Sequence, residues 1–393
     1  MSLGVLLFIF AILTVVMIHE TGHFIVAKLF GFKATKFFVG FGPTVWSFRR
    51  GETEYGIKAI PAGGFVKIIG MSPYEEVPPE DQPRSYPNKP KWQRAILLAA
   101  GSATHWVLAF VVLTIASMAI GFPTDRATNE VQYVDPRIEG QPSAAVAAGL
   151  EVGDRIVAID GRAVDRWDPI LNFIRSNPGE TATFTVARDG ELVELDVALG
   201  KVIVDAEERR LAYAPPNGQL RSLRSGERVI GYLGVGPQLF FDRKDLFGAL
   251  GEAGRYTWDL TGDLFTQIDD VFTPVFDGRL WSALSGEGER DLEGPVGAVG
   301  IGRIAGQAVQ QGNILGFLGL IVQLTIFVGI MNLLPLPPLD GGHLAVLAYE
   351  GLTGRTVDVR KLIPLAAIVI SFFVLLFLAI LYLDLARPLR SPF

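Results

Sequence analysis

No cysteine occurs among the 393 residues, so neither a disulfide framework nor thiol chemistry is open to this chain. Histidine is scarce as well, with four in all. Charge is missing from whole stretches: Ser2–Ile18, Ala95–Pro123, Ile314–Leu339 and Leu362–Leu383 contain no Asp, Glu, Lys or Arg. Each stretch is close to the ~20 apolar residues that cross ~30 Å of hydrocarbon. Hydrophobic residues make up 49% of the chain and are bunched into these runs, which excludes an ordinary soluble enzyme. The net charge of -6 gives no sign of a nucleic-acid partner. The first run has no basic residue ahead of it and no small-residue cleavage site behind it, so it reads as a retained span rather than a signal peptide.

What is present sets the orientation. Eleven Lys or Arg lie between Lys28 and Arg94, against none in Met1-Ser2, which places this connection on the cytoplasmic side. Arg355, Arg360 and Lys361 mark the connection between spans three and four as cytoplasmic too. Both termini, and the long stretch between spans two and three, are then extracytoplasmic. Within that stretch Gln141-Pro142-Ser143-Ala144-Ala145 and Ala148 to Gly161 lead into a helical patch near Pro169–Arg175. Alternating strands follow through Thr183–Val186 and Leu195–Val197. The wording resembles a PDZ domain of the bacterial protease-associated type, which implies a sheet edge open to a peptide or chain end; a β domain that only restricts access is the plainer reading. Leu246, Leu250, Trp258, Leu264, Ile268 and Phe272 suit an amphipathic helix lying on the outer surface, against a partner helix or on the β module.

The expected fold is therefore a polytopic α-helical membrane protein. It has a first transmembrane helix (1–31), a cytoplasm-facing β-hairpin or loop (32–92), a second transmembrane helix (93–123) and a PDZ-like domain (124–204). An extracytoplasmic linker with the amphipathic helix (205–313), a third transmembrane helix (314–340), and a loop with the fourth (341–393) complete it.

The chemistry gathers at the end of the first span. His19-Glu20-Thr21-Gly22-His23 is an H-E-x-x-H sequence. On a helix the i, i+4 spacing puts both imidazoles on one face with the carboxylate beside them. Two neutral histidines suit Zn2+, and Glu20 is placed to take a proton from an attacking water. Ionisable groups continuing an apolar run cost at least ~2.5 kcal/mol each unless paired, coordinated or hydrated, which favours metal binding over a structural histidine pair. Catalytic zinc usually takes three protein ligands. Asp340 is the candidate third: it follows the Pro335, Pro337 and Pro338 breaks and precedes Gly341-Gly342, late in a span that runs in the same direction as the first. The plain alternative is a solvated residue at a helix end.

In combination, His19-Glu20-x-x-His23, Asn332-x-x-Pro335-x-Pro337-x-Leu339-Asp340-Gly341 and the PDZ-like insert resemble the site-2 proteases, in particular the RseP-like, sigma-factor-regulating bacterial branch. Gly63-Gly64-Phe65-Val66-Lys67-Ile68 and Gly294-Pro295-Val296-Gly297 extend the resemblance over nearly the whole chain. It implies zinc on His19, His23 and Asp340, Glu20 as general base, and Asn332 holding the substrate backbone. It also implies a β-structured loop from about Lys33 to Met71 whose edge, through Gly64, Phe65, Val66 and Lys67, pairs with an unwound substrate. The substrates it implies are single-span membrane proteins such as anti-sigma factors already trimmed by another protease. Two features depart from that branch. Gly101-Ser102-Ala103-Thr104-His105 stands where Gly-Pro-x-x-Asn is common, leaving His105 either a core histidine bonded to another helix or a neighbour of the metal. One PDZ-like module is visible where some relatives have two. A membrane metal transporter and an inactive PDZ-bearing scaffold are the other classes, and Glu20 discriminates against both.

Overall fold

A computed structural model describes residues 3–72, 74–138, 141–206, 210–286, 296–310 and 312–387. Among the described residues, four helices are long and apolar enough to cross a membrane: Leu6–Leu29, Lys91–Ala119, Ile314–Asn332 and Val359–Ala386. The chain divides into two compact units, one of residues 1–119 with 244–393 and the other of residues 120–243.

In the first unit, spans one and two cross closely because small residues meet. A Cβ on Gly22 would lie 2.5 Å from the Ala100 carbonyl oxygen and 2.7 Å from Thr104 Cγ2. This is how helices associate in lipid, where apolar side chains gain nothing by leaving their surroundings and close backbone approach supplies the attraction. The connection between them folds as two long strands, Ala34–Arg50 and Thr53–Ile68, each bent so that residues 36–39 are flanked by 64–67 on one side and 54–57 on the other. Ala27, Phe32, Ala34, Ile68 and Leu97 form one buried cluster that seats this hairpin on the spans. Ion pairs secure the turn between its strands: Glu52 accepts from Lys28 at 2.7 Å and from Arg84 at 2.6 and 2.8 Å. Arg84 in particular holds the Glu52 carboxyl down to about 2.

The third span is not one helix to residue 340. Its helix ends at Asn332, residues 333–339 turn, and Asp340 is the first residue of a new helix, Asp340–Thr353. Pro335, Pro337 and Pro338 cannot donate to a continuing helix. Gly341 and Gly342 serve close approach rather than a left-handed turn: a Cβ on Gly341 would run into the Leu333 carbonyl, and one on Gly342 would lie 2.6 Å from Pro337 N.

The amphipathic segment also differs from expectation. It forms two helices, Leu246–Thr266 and Ile268–Phe276. The first runs back along the second span: Ser117 donates to Glu252 at 2.7 Å, and Trp106 Nε1 donates to Thr261 at 3.0 Å. Its buried face is Ala249, Ala253, Thr257 and Leu264, whereas Leu246 and Trp258, read as part of its apolar face, are exposed, Trp258 by 80%. Small residues again win the helix contact, and the bulky ones are left outside. In the fourth span, the buried Asp384 accepts from Gly300 N at 2.7 Å and so caps the helix Ala298–Gln310. A Cβ on Gly297 would sit 2.6 Å from that carboxylate, which accounts for one glycine of the Gly294–Gly297 run; Gly294 and Pro295 lie outside the described residues.

The second unit contains an antiparallel sheet in the order 235–242, 122–134, 155–159, 181–188, 191–198, and a three-stranded sheet in the order 210–214, 200–204, 228–232. Three of these strands fall in the segment read as linker after residue 204. Val131, Ile156, Ile159, Phe184, Val186 and Val197 form the core, covered by Ile170 and Ile174 of the helix Trp167–Ser176. A short helix, Ala144–Ala148, starts where Ser143 Oγ accepts from Val146 N and ends at Gly149, φ +78°. Asp154 anchors the next turn. Burial works to raise its pKa, but Arg188 and the Glu151 amide outweigh burial and hold it below the ordinary value.

Candidate metal centre

His19 and His23 lie one turn apart in the helix Leu3–Leu29, with their Nε2 atoms 3.1 Å apart. Asp340, at the first residue of its own helix, places Oδ2 3.2 Å from each of those nitrogens. That oxygen is sealed from solvent and, among the described residues, receives no hydrogen bond. Three atoms able to donate electron pairs therefore converge on one point, an arrangement that suits a bound cation. The spacing identifies a suitable one. Zinc held tetrahedrally at ~2.0–2.1 Å from each ligand sets the ligand atoms about 3.3 Å from one another, close to the three separations seen.

Both rings are held by their other nitrogens. His23 Nδ1 donates to the Leu97 carbonyl at 2.8 Å, and His19 Nδ1 lies 3.1 Å from His105 Nε2. Gly101 of the second span lets the rings reach this position: a Cβ there would strike His23 Nε2 and lie 2.7 Å from His19 Cε1. Gly101→Val therefore pushes both rings out of place. The expected result is loss of most bound zinc, measured by metal analysis of the purified variant, with helix content by circular dichroism unchanged.

Glu20 Oε2 accepts from Val66 N at 3.0 Å. This bond alters the expectation for the hairpin edge. Val66 is beside the site, but its N–H is engaged by Glu20 rather than free for a substrate. A Cβ on Gly64 would run into Met17 Sδ and lie 2.9 Å from the Phe38 carbonyl oxygen, so the glycine lets the strand lie close to the first span. Phe65 turns into the sheet, with its ring centroid 5.7 Å from that of Phe38, and Lys67 reaches Glu75 at 2.9 Å. Asn332 is half-buried at the last residue of its helix. His105, read either as a core histidine bonded to another helix or as a neighbour of the metal, contacts both Thr325 and His19; the Leu97 carbonyl and the Gly101 clearance had no periodic signal in the sequence, beyond the run of small residues Gly101-Ser102-Ala103.

A model of peptidase family M50 matches residues 7–378 of the chain. The chain belongs to peptidase family M50. Its relatives include zinc metalloprotease Rip1 of Mycobacterium bovis and of Mycobacterium tuberculosis, each 33% identical across 98% of both chains. Rip1 of Mycolicibacterium smegmatis is 32% identical across 99% of this chain and 98% of its own. As a member of family M50, this protein is a zinc metallopeptidase, and its four apolar helices make it a multi-pass membrane protein.

Proposed function

We propose that this M50 enzyme cuts single-span membrane proteins within their membrane segments. The observation that carries the proposal is the meeting of His19 and His23 of the first apolar span with Asp340, which follows the third, and with Glu20 next to His19 in the chain. Those three residues would hold Zn2+, which supplies Lewis-acid polarisation of the scissile carbonyl and charge stabilisation in the transition state. Glu20 takes the proton from the attacking water and returns it to the leaving amine. The Val66 amide holds the Glu20 carboxylate in register with the cluster. A helical substrate hides its carbonyls and has to unwind before cleavage, and exposed backbone at membrane depth survives only against protein or water. The strand 64–67, apart from the Val66 N–H taken by Glu20, supplies a hydrogen-bonding edge for that unwound segment, with Asn332 as a further backbone holder.

Positive-inside charge supports a site on the cytoplasmic side, with the termini and the β unit outside. In that unit the strands 235–242 and 191–198 end their sheet, which supports a PDZ-like role in receiving a peptide or chain end. The resemblance to the sigma-factor-regulating branch supports pre-trimmed anti-sigma factors as substrates and a place in regulated intramembrane proteolysis. A transporter has no use for a carboxylate fixed by a backbone amide beside the metal ligands.

The test is metal removal. Native protein reconstituted with a tagged single-span substrate is expected to release a fragment whose new end maps within the span. Chelation is expected to stop cleavage, and added Zn2+ to restore it. Cleavage that persists in the chelated, zinc-free protein would sink the proposal.

A further inference from the structure

His105 lies within the second span with no exposed surface, and the proposed reaction does not call on it. Its surroundings determine where every proton sits. For His19 to turn a bare Nε2 toward His23 and Asp340, its single ring proton must be on Nδ1. That proton points at His105 Nε2, 3.1 Å away, which must then be the acceptor. The proton of His105 is left on Nδ1, which donates to Thr325 Oγ1 of the third span at 3.0 Å. One consistent assignment runs through all three residues.

The third span is shaped to admit this ring. Gly329 follows Thr325 by one turn, and a Cβ there would lie 3.0 Å from both His105 Cβ and the Trp106 ring. The two histidines of the cluster are therefore oriented by different means. His23 rests on a backbone carbonyl of the second span, Leu97 O. His19 rests on a side chain, itself tied to a third helix. A core histidine serving only to join helices would have no reason to present its acceptor nitrogen to the nitrogen of His19 that faces away from Asp340.

Resting on the zinc assignment above, we infer that His105 is the positioning residue that fixes the tautomer and ring orientation of His19, with Thr325 anchoring it from the third span. Partners of this kind typically govern metal affinity by roughly 10–100-fold.

The experiment measures zinc affinity of the purified full-length protein by competition with a chromophoric chelator. Thermal unfolding monitors the fold of each variant. His105→Leu is expected to weaken zinc binding by roughly 10–100-fold. His105→Gln, which keeps an acceptor at similar reach, is expected to recover most of the loss. Thr325→Val should cause a smaller loss. The pair His105→Leu with Thr325→Val should be no weaker than His105→Leu alone, since a relay already broken at its first link has no second to lose. If His105→Leu does not fold, Gln and Val carry the test, and native affinity in folded Thr325→Val overturns the inference. Native affinity in folded His105→Leu, or a Gln variant as weak as the Leu variant, also overturns it. His23→Ala separates the two levels of the argument: full zinc there means the ligand assignment is wrong, whereas lost zinc there beside retained zinc in His105→Leu rejects the role of His105 alone.

Discussion

Glu20→Gln is expected to leave a folded, zinc-loaded protein that binds a single-span substrate and does not cut it. The amide has the shape of the carboxylate, and its oxygen can still accept from Val66 N, so the bond that measures 3.0 Å in the native protein is preserved in kind. What disappears is the capacity to accept a proton from water. General-base assistance is typically worth ~10²–10⁴-fold in rate, or about 2.7–5.4 kcal/mol of barrier. The measurement is fragment release per hour beside zinc content per chain. Cleavage by the Gln variant at the native rate would remove Glu20 from the mechanism, and zinc movement across liposomes without cleavage would return the transporter reading.

His23→Ala is expected to strip the zinc. With one imidazole gone, two protein ligands remain where catalytic zinc usually has three, and Asp340 Oδ2 faces only His19. Zinc per purified chain should fall from about one toward zero, and cleavage should fall with it. His343→Ala is the control, because His343 shares the short segment after the third span yet is not part of the cluster. Full occupancy in His23→Ala, or equal loss in His343→Ala, would refute the ligand set.

The readable parts of this molecule were those governed by short-range spacing. The i, i+4 interval of His19 and His23 foretold their shared helical face, and the four uncharged runs foretold the four long apolar helices. Asp340 was placed correctly beside them but on the wrong kind of element. Proline breaks announce that a helix stops; they do not say that the next begins at once, and Asp340 opens that next helix. The helix Leu246–Thr266 was read by its large apolar residues, a rule suited to water. Against the second span, Ala249, Ala253 and Thr257 make the contact instead. The β unit continues to residue 243 because its last strand, 235–242, pairs with its first, 122–134, a long-range match that no local pattern announces. Likewise nothing near Val66 signals that its amide is taken by a carboxylate 46 residues earlier.

The order of the chain carries a consequence for how the enzyme is made. His19 and His23 leave the ribosome early, the clearance at Gly101 follows, and Asp340 comes only after the whole β unit has been synthesised. A nascent protein thus holds two histidines with no acid to complete them for more than three hundred residues of elongation. The assembled cluster is a late event in biogenesis, and a chain that ends before Asp340 lacks its third donor.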